Sequence, residues 1–169
     1  MHHYLSWLES SSDFTNYQSL TIKIMLNSKQ IGNITELECM LAFMKLGYNV
    51  LTPYGDCERY DFVADVSGKL LKIQVKTSRP SRFSDGSITF NTSSQTTKEG
   101  KAIHYAYNEE QIDYFMTFYN NKTYLIPVKE CSVREKTLRF KPPKNGQIKG
   151  ITFAQEYETE RMVDKIVSE

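Results

Sequence analysis

Residues 61–76 of the chain read DFVADV, then SG, then KLLKIQVK, and this pattern predicts the central element of the fold. Two runs of alternating apolar and polar residues around Ser67-Gly68 predict a β-hairpin with a two-residue turn. This turn places Asp61 directly opposite Gln74, with their Cβ atoms about 5 Å apart. Lys76 then lies on the neighbouring diagonal of the same face.

One face of the predicted hairpin is apolar, and the other collects an acid, an amide and a lysine. The apolar face holds Phe62, Ala64, Val66, Leu71, Ile73 and Val75. A turn at Gly68-Lys69 would instead pair Asp61 with Lys76 and keep the same faces. A slip of one residue would place Asp61 among the apolar side chains, which the pattern disfavours. The polar face indicates a metal-and-lysine site, and a solvated hairpin face is the alternative interpretation.

Length and composition favour one globular domain. With 169 residues, 40% of them hydrophobic and 12% aromatic, the chain can bury a real core. No run approaches the roughly 18 apolar residues of a membrane span, and no secretion signal is recognisable, so we expect a cytoplasmic protein with no membrane partner. The three cysteines form no Cys-x-x-Cys pair, which favours reduced thiols, and the three histidines complete no zinc pattern.

The net charge of +1 conceals a basic segment followed by an acidic one. Residues 129–149 contain seven Lys or Arg and two Glu, whereas five acids and two bases follow from Glu156 to the end. Such an asymmetry suggests one face for an anionic partner such as nucleic acid. A lysine-rich solvated loop is the alternative.

Periodicity along the chain predicts the order helix, three strands, helix, two strands and a basic arm. The first helix covers 28–46, with an apolar stripe of Ile34, Leu37, Leu41 and Met44 and with Gly47 after its end. Glu36 lies beside that stripe, where an acid at the edge of a buried face is unusual. Its alternative role is a favourable charge in the first turn of the helix.

The remaining elements are shorter. The pattern predicts a short helix near Tyr4–Leu8, strands over 48–51, 86–91, 115–119 and 123–128, a polar loop over 92–100 and a helix over 108–114. Long polar loops in compact domains are often functional. Asn108 precedes Glu109, Glu110 and Gln111, as in a capped helix start.

These residues resemble a known family of nucleases. An acid, a Gln in place of Glu thirteen residues later, and a Lys two residues beyond it are similar to the PD-(D/E)XK motif. Glu36, eleven residues before Gly47, resembles the helix acid of the archaeal Holliday-junction resolvases. The closer resemblance is to group I intron-encoded homing endonucleases, and it is carried by residues 29–37, 53–61, 72–77, 112–115, 124–128 and 138–147.

The resemblance implies an α/β (α+β) fold with a restriction-endonuclease-like core, in which a central mixed β-sheet is flanked by helices. It divides the chain into an N-terminal extension over 1–26, a nuclease domain over 27–158 that includes the basic arm 129–149, and an acidic tail over 159–169. The implied activity is Mg²⁺-dependent hydrolysis of DNA phosphodiesters, with Mn²⁺ expected to substitute for Mg²⁺. Gln74 departs from the usual acid and removes one negative charge from the site.

The resemblance also implies roles for the site residues. Asp61 is expected to be the principal metal ligand, with Gln74 and the Val75 carbonyl completing the set. Glu36 is expected to act through metal-bound water or as a direct ligand. Lys76 is expected to orient the attacking water or to stabilise the charge on the phosphorane.

The expected partner is double-stranded DNA. Candidate contacts to its backbone come from Thr77, Ser78, Arg79, Arg82, Arg139, Lys141 and Lys144, and candidate groove readers include Thr89 and Asn91. Because one site cuts one strand, double-strand cleavage requires at least two chains, and we expect a homo-oligomer, either a dimer or a tetramer. A junction resolvase and a catalytically inactive DNA-binding module are the alternative functions.

Overall fold

The structure, a computed structural model, describes residues 26–55, 57–82, 84–142, 146 and 149–168. The helix expected near Tyr4–Leu8 lies outside these ranges. The strands, in chain order, are β1 (Asn49–Leu51), β2 (Phe62–Val66), β3 (Lys69–Val75), β4 (Arg79–Pro80), β5 (Ser87–Asn91), β6 (Ser93–Lys98), β7 (Lys101–Ala106), β8 (Tyr114–Tyr119), β9 (Lys122–Pro127) and β10 (Glu135–Arg139). Within these ranges the α-helices are α1 (Ser28–Lys45) and α2 (Thr159–Ser168), and short 3-10 helices cover Val128–Glu130 and Ala154–Tyr157.

The central sheet has five strands in the order β1-β2-β3-β8-β9. Strands β3 and β8 are parallel and the other neighbours are antiparallel, so the sheet is mixed. A second sheet has the order β10-β5-β4, and β6 with β7 forms a separate two-stranded hairpin. The predicted fold class, a mixed sheet with flanking helices, is confirmed. None of the helices in the described part of the chain is long and apolar enough to cross a bilayer.

The hairpin β2–β3 has the predicted register. Phe62 pairs with Ile73, and Val66 pairs with Lys69. Ser67 and Gly68 both have positive φ, 55° and 86°, as a two-residue turn between twisted strands requires. The six residues of the apolar face are all buried. This register brings the start of β2 against the end of β3, where the polar residues of the motif lie.

The buried face of α1 is not the predicted one. The helix begins after Asn27, which exchanges capping hydrogen bonds with Gln30. Its inward residues are Thr35, Cys39 and Phe43, and the Phe43 ring meets Phe62 edge to face at 6.0 Å. The predicted stripe lies on the opposite side and is exposed, with 43% for Ile34, 62% for Leu37, 40% for Leu41 and 60% for Met44. Apolar residues occupy both sides of this helix, so periodicity alone could not distinguish the inner face.

Two cores lie on opposite faces of the central sheet. Both α-helices pack on the first face, where Met162, Val163 and Ile166 of α2 join Phe43 and Phe62. The second sheet packs on the other face through Phe90, Ile88 and Leu138, which contact Phe115 and Ile126. Alternation along β8 divides its side chains between the two cores, with Phe115 in one and Met116 in the other.

Several predicted elements are corrected. Residues 92–100 do not form a loop, because β6 and β7 pair through a tight turn at Glu99-Gly100, where both φ angles are positive. Asn108 accepts a hydrogen bond from the Gln111 N–H, but the chain makes only one turn before β8, so the predicted helix over 108–114 is absent. The acidic segment 159–169 contains α2, and the basic arm contains β10, which pairs with β5.

Candidate active site

The polar residues of the hairpin converge at the edge where β2 begins and β3 ends. The Asp61 N–H donates at 2.8 Å to the carbonyl of Ile73, the residue that pairs with Phe62, and this bond holds Asp61 at the end of the ladder. Asp61 Oδ2 accepts from Gln74 Nε2 at 2.5 Å and from the Val75 N–H at 2.6 Å. Gln74 Nε2 also donates to the Val75 carbonyl at 3.1 Å. The structure therefore brings three of the predicted metal ligands into one hydrogen-bonded group.

Lys76 leaves the end of β3 on the same side. Its N–H donates to the Met116 carbonyl at 2.9 Å, so the parallel neighbour β8 positions its backbone. Its Nζ donates to the Tyr107 hydroxyl at 3.2 Å and lies 5.0 Å from the centre of that ring. The Tyr107 hydroxyl in turn donates to Gln74 Oε1 at 3.2 Å. Tyr107 thus connects the amide and the lysine of the motif.

Burial raises the pKa of the Asp61 carboxyl above its ordinary value. The hydrogen bond from the Val75 N–H and the positive charge of Lys76 offset only part of this rise, as does the hydrogen bond from Gln74. Glu36 is half-buried on α1, where burial raises its pKa and the negative charge of Asp61 raises it further. The negative charge of Asp61 therefore acts on the Glu36 carboxyl of α1.

The oxygen atoms of this group suit a hard cation such as Mg²⁺. Asp61 has a carboxylate, Val75 a carbonyl and Gln74 an amide oxygen, and the half-buried Glu36 carboxylate on α1 is the remaining predicted ligand. Within the described ranges no group of three or more His, Cys, Asp or Glu residues is arranged to hold a metal ion. Any cation site here consequently depends on the neutral amide and carbonyl oxygens as well as on the two acids.

The candidate DNA-contacting residues lie beyond the end of β3 and on the second sheet. Arg79, Arg82, Thr89 and Asn91 line one open groove. Arg79 forms an exposed ion pair with Glu135 and donates to Asn91 Oδ1 at 3.3 Å. Thr89 is buried and its hydroxyl donates to the Lys136 carbonyl, which argues against a base contact by this side chain.

The other predicted contacts are more dispersed. Thr77 is exposed, and Ser78 Oγ donates to the Phe118 carbonyl at 3.1 Å. Arg139 lies at the end of β10, where its Nε donates to the Lys141 carbonyl at 2.8 Å. Lys144 lies outside the described residues.

Sequence reasoning missed Arg59 and Tyr107. The Arg59 guanidinium lies 4.0 Å from the centre of the Tyr107 ring and donates to Ser94 Oγ at 2.8 Å and to the Ala106 carbonyl at 3.3 Å. These contacts hold the start of β6 and the end of β7 beside the site. No local pattern signals them, because Arg59 and Tyr107 are brought together only by the fold.

Comparison with known proteins identifies the family of this fold and site. A family model described as PD-(D/E)XK endonuclease matches residues 26–160. The chain belongs to this family of nucleases, which hydrolyse phosphodiester bonds and generally use divalent metal ions. The resemblance stated from the motif is thereby confirmed.

A solved structure supports the same fold. The bacterial homing endonuclease I-Ssp6803I matches with a TM-score of 0.69 and 23% sequence identity, over 85% of this chain and 98% of that one. No curated protein matches the chain. At this level of identity, the likeness to I-Ssp6803I establishes a shared fold.

Proposed function

We propose that the protein is a Mg²⁺-dependent endonuclease that cuts double-stranded DNA at specific sites, in the manner of a homing or restriction enzyme. The observation that carries the proposal is the hydrogen-bonded group of Asp61, Gln74 and Val75, which the Tyr107 hydroxyl connects to Lys76. Similarity to a protein described as a homing endonuclease favours a site-specific enzyme over a junction resolvase.

Asp61, Gln74, Val75 and Glu36 are the residues that would hold the metal, and Mn²⁺ should substitute for Mg²⁺ because both accept oxygen ligands. A bound divalent ion supplies charge neutralisation on the scissile phosphate and lowers the pKa of water. The chain itself supplies the remaining groups. The Lys76 ammonium is placed to stabilise negative charge that develops on the phosphate. Its charge also favours the ionised form of Asp61.

Glu36 is suited to accept a proton from the attacking water. A carboxylate with an ordinary pKa is a weak base at neutral pH, and a raised pKa brings the group closer to the value that favours proton transfer. Burial and the charge of Asp61 both raise the pKa of Glu36. Where Glu36 is not itself a ligand of the metal, its carboxylate is the group we assign as the proton acceptor of the reaction.

The β6–β7 hairpin is the element we assign to reading the DNA sequence. A two-stranded ribbon fits the major groove of B-form DNA. The exposed side chains of this hairpin are mostly polar and include Gln95, Thr96, Thr97, Lys98 and Lys101. Arg59 holds the base of the hairpin against the site, so a base contact by the hairpin would fix the distance from the recognised sequence to the cut. Asn91 and Arg79, in the adjacent groove, would contact the neighbouring nucleotides.

The exposed stripe of α1 is the surface we assign to contact with a second copy of the chain. Ile34, Leu37, Leu41 and Met44 follow the spacing of three and four residues that lets two helices pack along a seam. A two-fold axis would bring the same stripe of both copies together and supply the two sites that double-strand cleavage needs.

Sedimentation tests this contact. Replacing Leu37 and Leu41 together with Lys should convert an oligomer to a species with the mass of one chain. The matched control carries Lys at Leu70 and Val133, which are 64% and 63% exposed and lie off the stripe. A wild-type protein that sediments as one chain, or a stripe variant that keeps its mass, would contradict the assignment.

The enzymatic proposal is tested with Asp61→Asn. The variant should lose cleavage and retain DNA binding, because binding rests on several Lys and Arg contacts. Asp65→Asn is the control, since Asp65 lies on the same strand and accepts only a turn hydrogen bond from Gly68. Wild-type protein is incubated with Mg²⁺ and either a randomised linear duplex or a four-way junction. Discrete cuts in linear duplex support the proposal, whereas cuts confined to the junction indicate a resolvase, and full activity of Asp61→Asn refutes the site.

A further inference from the structure

Tyr107 lies outside the motif, yet the structure places it in the centre of the site. It follows β7 and its ring packs edge to face on Phe115, with the ring centres 5.2 Å apart. The Arg59 guanidinium stacks on the ring at 4.0 Å. Because Arg59 is itself bonded to Ser94 and to the Ala106 carbonyl, the position of the ring is fixed from two sides.

The hydroxyl of this fixed ring contacts two groups of the motif. It donates to Gln74 Oε1 at 3.2 Å and accepts from Lys76 Nζ at 3.2 Å. A phenolic hydroxyl has one hydrogen to donate and two lone pairs to accept with. We propose that Tyr107 is a positioning residue of the nuclease site, whose hydroxyl anchors Lys76 and holds the Gln74 amide in either of two orientations.

The orientation of the Gln74 amide is determined by its neighbours. On one side lie Asp61 Oδ2 and the Val75 carbonyl, both of which only accept, so the amide nitrogen must face them. On the other side lies the Tyr107 hydroxyl, which donates to the amide oxygen. The amide nitrogen therefore lies between two of the oxygens that would bind a cation.

A cation ligand has to present oxygen, not nitrogen. If Gln74 serves as a ligand, its amide must turn over by about 180° when a cation is bound, and its nitrogen then faces Tyr107. The hydroxyl can accept from that nitrogen through a lone pair, so the amide finds a partner in both orientations. Such a rotation needs no movement of β3. The inference rests on the proposed function, because it takes Asp61, Gln74 and Lys76 as the working site.

Tyr107→Phe tests the role of the hydroxyl while keeping the ring and its contacts with Phe115 and Arg59. With plasmid DNA and saturating Mg²⁺, kcat should fall about 10- to 100-fold, the factor expected from loss of one hydrogen bond to a charged group. KM, DNA binding without metal and the unfolding temperature should stay close to wild type. Tyr48→Phe is the control, since Tyr48 is half-buried against the core under α1 and has no assigned role. Wild-type kcat in Tyr107→Phe, or equal losses of stability and DNA binding, would overturn the proposal.

A nuclear magnetic resonance measurement tests the rotation without cleavage. Addition of Mg²⁺ to free protein should strengthen the Overhauser contacts from the Gln74 side-chain amide hydrogens to the Tyr107 ring. Unchanged contacts at saturating Mg²⁺ would show that the amide does not turn and would overturn that part of the inference. Asp61→Asn and Gln74→Ala distinguish failure of the proposed nuclease site from failure of the role of Tyr107 alone. If both variants cut like wild type, the proposed site fails, whereas inactive variants beside a fully active Tyr107→Phe refute only the role of Tyr107.

Discussion

Replacing Gln74 with Glu would restore the acid that the family motif usually carries, and the structure predicts a cost in the absence of metal. Gln74 Nε2 lies 2.5 Å from Asp61 Oδ2, and Gln74 is 8% exposed. A carboxylate there would face another carboxylate. Even if the two groups relax to about 4 Å, their repulsion is about 4 kcal/mol at an effective dielectric constant of about 20. Such repulsion raises the pKa of the pair, so one of the two carboxyls should retain its proton above the ordinary range for Asp and Glu.

The sign of the effect on stability follows from proton binding. A carboxyl with a raised pKa binds more protons in the folded than in the unfolded protein, so folding stability falls as pH rises above the ordinary carboxyl pKa of about 4 and stays low once both carboxyls are ionised. Full loss of about 4 kcal/mol lowers the unfolding temperature by roughly 10 °C for a chain of this length. Bound Mg²⁺ or Ca²⁺ should recover the loss, because the cation binds only the folded pair.

Thermal unfolding of Gln74→Glu at several pH values measures the loss of stability in EDTA and its recovery in Ca²⁺. Gln95→Glu is the control for the added charge, because Gln95 is exposed on β6. Gln74→Ala removes the amide without adding charge, so its stability should lack the part of the pH dependence that the second carboxyl causes. Gln74→Glu should also cleave DNA at lower Mg²⁺ concentrations than wild type, whereas Gln74→Ala should lose most activity. If Gln74→Glu unfolds like wild type at pH 8.5 in EDTA, the side chains at positions 61 and 74 do not face each other as described.

Replacing Arg139 and Lys141 together with Ala should make the slope of log affinity against log salt shallower by at most about two units and leave the preferred cut site unchanged, because each phosphate contact contributes about 0.9 to that slope. An unchanged slope would show that the basic segment does not neutralise phosphates. Burial raises the pKa of the Cys39 thiol well above its usual value and that of Cys131 to about 12, so both thiols should resist disulfide reagents until the protein unfolds. Rapid modification of either thiol in the native protein would contradict this burial.

The hairpin β2–β3 and its polar face could be predicted because every contact that defines them is local. The Ser67-Gly68 turn sets the register, and alternation decides which side chains face the core. Asp61 and Gln74 are thirteen residues apart in sequence but adjacent in this register, so their pairing needed no knowledge of the rest of the fold. The structure finds them in hydrogen-bond contact.

Elements whose contacts are distant in sequence could not be predicted in the same way. Apolar side chains on both sides of α1 made the exposed stripe look like the buried one, and only packing against Phe62 selects Phe43. The charges of α2 suggested an acidic tail, although Met162 and Ile166 contact the core. Strands β6 and β7 are polar and mostly exposed, so they lack the apolar alternation that indicates a strand.

The amide at position 74 stabilises the metal-free site in a way that an acid would not. Burial alone already raises the pKa of Asp61, and the surrounding hydrogen bonds and the charge of Lys76 do not fully compensate. A second acid at position 74 would add repulsion to this cost whenever no cation is bound. The Gln74 amide instead donates to Asp61, so the site is satisfied in the absence of metal. In the proposed site its oxygen would face a cation only after rotation, for which the Tyr107 hydroxyl offers a partner. If Gln74 is a ligand of the metal, as we propose, the amide stabilises the metal-free site at the expense of metal affinity.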